Sequence, residues 1–252
     1  LYTVTKNNGT RRTGILFKQE DSNLAPTIYL EEFYQKYLKG QQVPDLADSI
    51  CSIYQEIRVK KTCDCQNLFD FNHVKEHIVY KLIRRDANEE LLKQIPYEPF
   101  LDLAVVYYIQ IDNTRFGSAA IQIRNEHLRY WRVEKEEIRR LAEKNTPRIY
   151  PVQIRQIVRF MYVATNEQCS LGAAVMRYPD FREKVRGMIR GDFYILPSSI
   201  HEVILVPESF GLEPERMQEM VKEINQTGVA PEEVLSDSVY YFDGEEIRIV
   251  AK

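Results

Sequence analysis

The chain has 252 residues, enough for one large domain or two small ones, since single hydrophobic cores stop growing near ~250–300 residues. Hydrophobic residues make up 44% and charged residues 28%, with 10 Gly and 11 Pro, which excludes disordered and fibrous classes and predicts a chain that folds throughout. Thirty-four Lys and Arg face 37 Asp and Glu, a net charge of −3, so bulk charge draws the chain toward neither nucleic acid nor anionic membrane, and neither is expected as a partner. The densest apolar run, Leu103 to Ile111, is interrupted by Gln110 and falls well short of the ~20 residues of a membrane helix. Four cysteines are too few for a disulfide scaffold, which predicts a cytoplasmic location, and a first residue of Leu1 rather than Met predicts a fragment or processed form.

The predicted elements begin with a hairpin, Tyr2 to Lys6 and Thr13 to Phe17, around Asn7-Asn8-Gly9, residues that tolerate positive φ. Thr27-Ile28-Tyr29-Leu30 leads into a helix with Leu30, Phe33, Tyr34, Tyr37 and Leu38 at i, i+3, i+4, i+7, i+8, stopped by Gly40. A second helix follows Pro44 with Leu46, Ile50, Ile53, Tyr54 and Ile57 as its apolar stripe. Ile78 to Ile83 reads as a strand, and a short helix capped by Asn88 follows. Leu103 to Ile111 suits a strand buried on both faces, returning through Asp112-Asn113-Thr114 and Gly117 into Ala119 to Ile123.

Helices are predicted from Asn125 and from Val133-Glu134, ending at Asn145-Thr146-Pro147, and the lobe boundary falls near there. That gives an N-terminal lobe over 1–145 and a C-terminal lobe over 146–252, with one continuous domain as the alternative. Tyr162 to Thr165 and Gly172 to Met176 read as paired strands, and Phe181, Val185, Met188 and Ile189 as a helix face stopped by Gly191. Phe193 to Leu196 and Val203 to Val206 are strands, Pro214 opens a helix with Met217, Met220, Val221 and Ile224 inward, and Asp243-Gly244 turns the final hairpin. Strand pairs separated by helices predict an α+β fold of antiparallel-rich mixed sheets flanked by amphipathic helices. No Gly-rich phosphate loop follows any strand, so no cofactor is expected.

Two constellations invite chemistry. Cys63-x-Cys65 with His73-x₃-His77 offers thiolate and imidazole donors of the kind that hold tetrahedral zinc. Its cysteines are closer than the usual spacing, and a solvated loop is the preferred reading, so no metal is expected. Pro197-Ser198-Ser199-Ile200-His201-Glu202 places hydroxyls beside an imidazole and a carboxylate, and Asp237 stands further on. Catalytic candidates are therefore His201, Glu202, Ser198, Ser199 and Asp237. Residues two apart on a strand lie about 6.6 Å apart at Cα, too far for a ready Ser199–His201 pair, so the competing reading is a turn bonding its own backbone. The basic run Arg182-Lys184-Arg186-Arg190 reads as a solvated helix face.

The phrases Glu143-Lys144-Asn145-Thr146-Pro147-Arg148, Asp192 to Val203 and Val229 to Tyr240, together with Thr27-Ile28-Tyr29-Leu30, resemble a "domain of unknown function" family of Gram-positive anaerobes. The resemblance covers nearly the whole chain and implies a bacterial, cytoplasmic protein, but brings no activity, substrate or cofactor. The Pro197 to Glu202 phrase belongs to the resemblance, whereas the Cys63/Cys65/His73/His77 set does not. The leading expectation is a module binding a small molecule or a protein, and the alternative is a small hydrolase using His201 with a serine or carboxylate of the C-terminal lobe.

Overall fold

The computed structural model describes residues 1–17, 27–57, 70–114 and 117–252. The first unit is a three-stranded sheet of β1 (Tyr2–Thr5), β2 (Arg11–Leu16) and β3 (Thr27–Tyr29), followed by helices α1 (Glu31–Leu38) and α2 (Val43–Ile57). The Asn7-Asn8-Gly9 turn is a single 3-10 turn with Asn8 at φ 57° and Gly9 at φ 67°, the left-handed geometry the sequence called for. Ile28, Phe33 and Leu46 form its small core, with Phe17 stacked on Tyr54 at 4.3 Å. The apolar stripe of α1 is wider than this core can cover: Tyr34 and Leu38 stay 58% and 59% exposed.

The second unit opens with α3 (Phe71–Val74) and β4 (Ile78–Arg84), and continues through α4 (Glu89–Leu92), β5 (Tyr97–Phe100), β6 (Leu103–Thr114) and β7 (Gly117–Gln122). These strands make a four-stranded antiparallel sheet with β6 flanked by β4, β5 and β7. Strand alternation buries both faces of β6: Leu103, Val105, Tyr107 and Ile109 enter the main core, while Ala104 and Val106 meet Ile83, Leu92 and Ile95 behind it. Helix α5 (Asn125–Trp131) leads into α6 (Lys135–Ile149).

Helix α6 runs past its expected end, with Pro147 inside the last turn. A proline there removes one helical donor, and two buried side chains on the same turn hold it to the sheet. Asn145 donates through Nδ2 to the Lys75 and Ile78 carbonyls at 2.8 and 3.1 Å, and the Thr146 hydroxyl accepts from the Tyr80 N–H at 3.0 Å. The Thr146 bond crosses the expected 145/146 boundary.

The third unit is a six-stranded sheet in the order β13-β12-β10-β11-β9-β8, every neighbour antiparallel: β8 (Val152–Val158), β9 (Met161–Asn166), β10 (Phe193–Leu196), β11 (Val203–Pro207), β12 (Val239–Phe242) and β13 (Ile247–Ala251). All described strand pairs are antiparallel, so the α+β class holds without a mixed sheet. The partners of β9 are β8 and β11, not Gly172 to Met176, which forms a buried 3-10 helix over Gly172–Arg177. Its small residues allow that burial: a Cβ on Gly172 would sit 2.1 Å from Thr165 Oγ1 and 2.5 Å from the His201 carbonyl oxygen.

Phe193, Ile195, Val203, Leu205, Tyr240 and Phe242 of this sheet join β4, β6, α6 and α7 (Phe181–Met188) in one core. Each large side chain buried there contributes roughly 1.5–3 kcal/mol. The opposite face of the sheet packs Leu196, Val206 and Val239 against Met217 and Val221 of α8 (Pro214–Thr227). Met220 and Ile224, expected inward, are 36% and 49% exposed.

Candidate functional site

The phrase Ser198–Glu202 is half-buried apart from Ile200, which is buried. Its bonds run to Thr165, to residues 171–173 and to the segment around residue 233. The Ile200 N–H donates to the Glu233 carbonyl at 2.9 Å, the Ala173 N–H to the Ile200 carbonyl at 3.2 Å, and the Ser236 N–H to the Pro197 carbonyl at 3.2 Å. The Ser199 hydroxyl accepts from the His201 N–H at 3.0 Å, closing a local turn. The His201 carbonyl accepts from the Thr165 hydroxyl at 2.7 Å.

Both ring nitrogens of His201 are engaged. Nδ1 accepts from the Leu171 N–H at 3.2 Å, which fixes the proton on Nε2, and Nε2 faces Glu233 Oε1 at 3.3 Å. This contact secures a backbone position of unusual geometry, since Cys169 and Leu171 lie at φ 50° and 55°. The imidazole therefore meets neither Ser198 nor Ser199 as a general base would. Asp237 is elsewhere: it accepts from Arg84 Nη1 at 2.8 Å and from Asn225 Nδ2 at 2.9 Å.

Asp237 belongs to a polar network that the sequence did not announce. Burial alone would raise its carboxyl, but the bonds from Asn225 and Arg84 outweigh burial and hold it below the ordinary carboxylate value. Arg84 also donates to Asp86 at 2.8 Å, and that bond depresses the Asp86 carboxyl in turn. Beside it, Asp102, in the turn between β5 and β6, accepts from the Ser236 hydroxyl at 2.6 Å, the Ser238 hydroxyl at 2.8 Å and the Tyr240 hydroxyl. Burial, with the Asp102 charge next to it, pushes the Tyr240 phenol well up, so it remains a donor.

Asn88, expected as a helix cap, instead donates to Asn8 Oδ1 at 3.0 Å and to the Arg84 carbonyl at 2.7 Å. Asn8 passes the chain of bonds to the Pro231 and Val234 carbonyls at 2.9 and 2.7 Å, and Asn7 to the Glu232 carbonyl at 2.7 Å. Residues 229–240 are thus the strip on which all three units fasten. Composition and periodicity carry no signal for such a strip. Its members are separated by up to 226 positions in sequence.

The metal constellation is only partly described. Cys63 and Cys65 lie outside the described residues; His73 lies in α3 and His77 ends the 3-10 turn that follows, both exposed. Among the described residues no group of three or more His, Cys, Asp or Glu is placed to hold a metal ion.

Clefts open between the units, three of them lined as follows among the described residues. One of about 790 Å³ is lined by Gln110, Arg148, Tyr150 and Gln168, but these largely bond one another and nearby backbone: Tyr150 donates to Gln110, Arg148 to the Glu76 carbonyl at 2.9 Å, and Gln168 to the Ile149 carbonyl at 3.4 Å. A second, about 370 Å³, surrounds Arg12, whose Nε is held by Glu232 at 2.8 Å.

The third, about 440 Å³, lies on the seam between the two large sheets. Phe100 of β5, Met176 to Pro179 at and beyond the end of the buried 3-10 helix, Arg182 of α7, and Glu246 and Ile247 of the last hairpin line it. The Arg177 guanidinium stacks 5.3 Å over Phe100 and that of Arg182 5.4 Å over Phe242. Tyr178 is 3% exposed, and its hydroxyl, shielded from water, has no hydrogen-bond partner among the described residues. Burial pushes that hydroxyl upward in pKa, keeping it a donor. The basic run on α7 is not simply solvated: Arg182 and Arg186 donate to the Glu245 and Gly244 carbonyls and clasp the hairpin turn.

Fold and seam together define an antiparallel α+β protein of three fastened units with an aromatic, arginine-lined cleft between its two large sheets. The chain belongs to DUF5688, a family of unknown function, which it matches over residues 1–161 and 158–244. Comparison with curated proteins and comparison with solved structures each found no match.

Proposed function

We propose that this protein is a binding module whose ligand is a small molecule seated in the seam cleft. One observation carries the reading: the cleft presents two guanidiniums beside the Phe100 ring at a place where both large sheets meet. The polar groups first suspected of catalysis have other employment, since His201, Ser199 and Asp237 each hold a neighbouring segment.

We place the protein in a bacterial cytoplasm, on the family resemblance and on two exposed free thiols, Cys51 and Cys169. No helix among the described residues is long and apolar enough to cross a membrane.

The test is small-molecule retention. The whole chain is equilibrated with a size-filtered bacterial metabolite extract, washed on a membrane and analysed by mass spectrometry. Retention should be lost in Ile247→Trp, which fills the cleft, and kept in His201→Ala, with the melting temperature of each variant recorded. Retention lost in His201→Ala while the variant stays folded, or no retention by the wild type, overturns the reading.

A further inference from the structure

We infer that Asn8-Gly9 is a chemical modification site, where spontaneous deamidation undoes the bonds that fasten residues 231–234 to the first turn. It is the only Asn-Gly step in the chain. The turn selects this pair for its backbone: Asn8 and Gly9 lie at φ 57° and 67°, where Asn and Gly cost least. The same pair is labile, because glycine has no Cβ to shield its nitrogen from the preceding carboxamide, and Gly9 is exposed. The reaction needs only water. The Gly9 nitrogen attacks Asn8 Cγ, a C–N bond forms, and the carboxamide nitrogen leaves as ammonia with the proton from Gly9. Water then opens the succinimide ring at either carbonyl, giving an aspartyl or an isoaspartyl link.

The fold opposes the first step in two ways. At ψ 29° the Gly9 nitrogen lies nearly opposite the Asn8 Cβ across the Cα–C bond, so ring closure requires the turn to leave its left-handed conformation. The carboxamide is also held: Nδ2 donates to the Pro231 and Val234 carbonyls at 2.9 and 2.7 Å, and Oδ1 accepts from Asn88 Nδ2 at 3.0 Å. The Asn8 N–H in turn donates to Asn88 Oδ1 at 3.0 Å. Deamidation therefore proceeds from the locally opened turn, and its rate reports how often that turn opens.

The product cannot re-form the clasp. An ionised carboxylate at position 8 has no hydrogen to donate and would face two carbonyl oxygens, and an isoaspartyl link also adds a methylene to the main chain of the turn. Only Asn7 and Arg12 would then hold this end of the strip, both through Glu232. Each opening that reacts becomes permanent, which makes the turn a one-way record of its own unfastening.

Peptide mapping of the whole chain by mass spectrometry follows position 8 during incubation at mildly alkaline pH, in the native state, in urea below the unfolding transition, and fully unfolded. Conversion should be at least about tenfold slower in the native chain than in the unfolded one, and should rise with urea before the global transition. In the unfolded chain Asn8 should react ahead of every other asparagine. Asn88→Ala, which removes two of the anchors, should speed native conversion a few-fold. Asn8→Asp should lower the melting temperature by about 5–10 °C and speed hydrogen–deuterium exchange at residues 231–234. Should that variant fail to fold, the aged wild-type chain, separated from fresh protein by its added negative charge, gives the same comparison. Native conversion as fast as unfolded, another asparagine reacting first in the unfolded chain, or an acid at position 8 with wild-type melting temperature and exchange would each overturn the inference.

Discussion

Asp102→Ala should be among the most damaging single substitutions outside the apolar core. The carboxylate accepts three hydroxyls, from Ser236, Ser238 and Tyr240, whose residues are 1%, 2% and 0% exposed. Hydrogen bonds to a charged group are worth about 1.5–3 kcal/mol each, so three sum to about 5–9 kcal/mol. Asp102 itself is only half-buried, water can enter the space the side chain leaves, and Ser236 keeps its bond from the Ser238 N–H at 2.9 Å. The expected loss is therefore about 3–4 kcal/mol, a large part of the 5–15 kcal/mol typical of a domain. Urea unfolding at 25 °C, followed by the fluorescence of Trp131 and by circular dichroism, measures it. Asp102→Asn, which keeps an acceptor oxygen but loses the charge, should fall between. A double-mutant cycle with Tyr240→Phe should give a coupling of about 1–2 kcal/mol. A loss below about 1 kcal/mol for Asp102→Ala, with the slope of the transition unchanged, would refute the view that this carboxylate ties the β5–β6 turn to β12.

Gly172→Ala should cost about 3 kcal/mol or more, because the new methyl would meet Thr165 Oγ1 and the His201 carbonyl well inside contact distance; a soluble variant with an unchanged melting temperature would contradict this. Asp237 and Asp86 have depressed folded values, so the stability they supply is fully present above the unfolded carboxylate value near ~4 and is lost as pH falls through the lower folded values. A pH series of urea midpoints should accordingly be flat on the neutral side and drop below about pH 4, with a shallower drop in Arg84→Met, and an equal acid slope in that variant would argue against the pairs. The bonds from Thr146 and Arg148 of α6 to Tyr80 and Glu76 cross the expected lobe boundary and predict one cooperative thermal transition, so two resolved calorimetric peaks would mean that the lobes unfold separately.

Much of the fold was legible because periodicity is local. The β-branched and aromatic run Ile78 to Ile83, the double-sided run from Leu103, and the Asn8 and Gly244 turns each need only their own neighbours, and Gly244 indeed lies at φ 91°. Local patterning failed where a distant contact decided. Pro147 reads as a helix end, yet Asn145 and Thr146 fasten that turn to β4. Gly172 to Met176 reads as a strand, yet the close approach of Thr165 and the His201 carbonyl at Gly172 selects a compact 3-10 turn. Val152 to Val158, an alternating run obscured by the adjacent Pro151, was the missed strand beside β9. His201 stood out in the sequence as a rare, chemically able residue, but its role was set by the Leu171 N–H, thirty positions away. The seam cleft was invisible for the same reason: Phe100, Arg177, Arg182 and Glu246 share no local pattern and meet only once two sheets have packed.

The central claim is that a small molecule is held at the seam. Hydrogen–deuterium exchange of the whole chain, with and without the size-filtered metabolite extract, tests it most directly, because it reports location without requiring the ligand to be known. Slowed exchange is predicted around Phe100, at Arg177 to Arg182 and at Glu246 to Ile247, with no change at Ser198 to Glu202. Protection centred on Ser198 to Glu202 and Asp237, or no protection anywhere, would contradict the account.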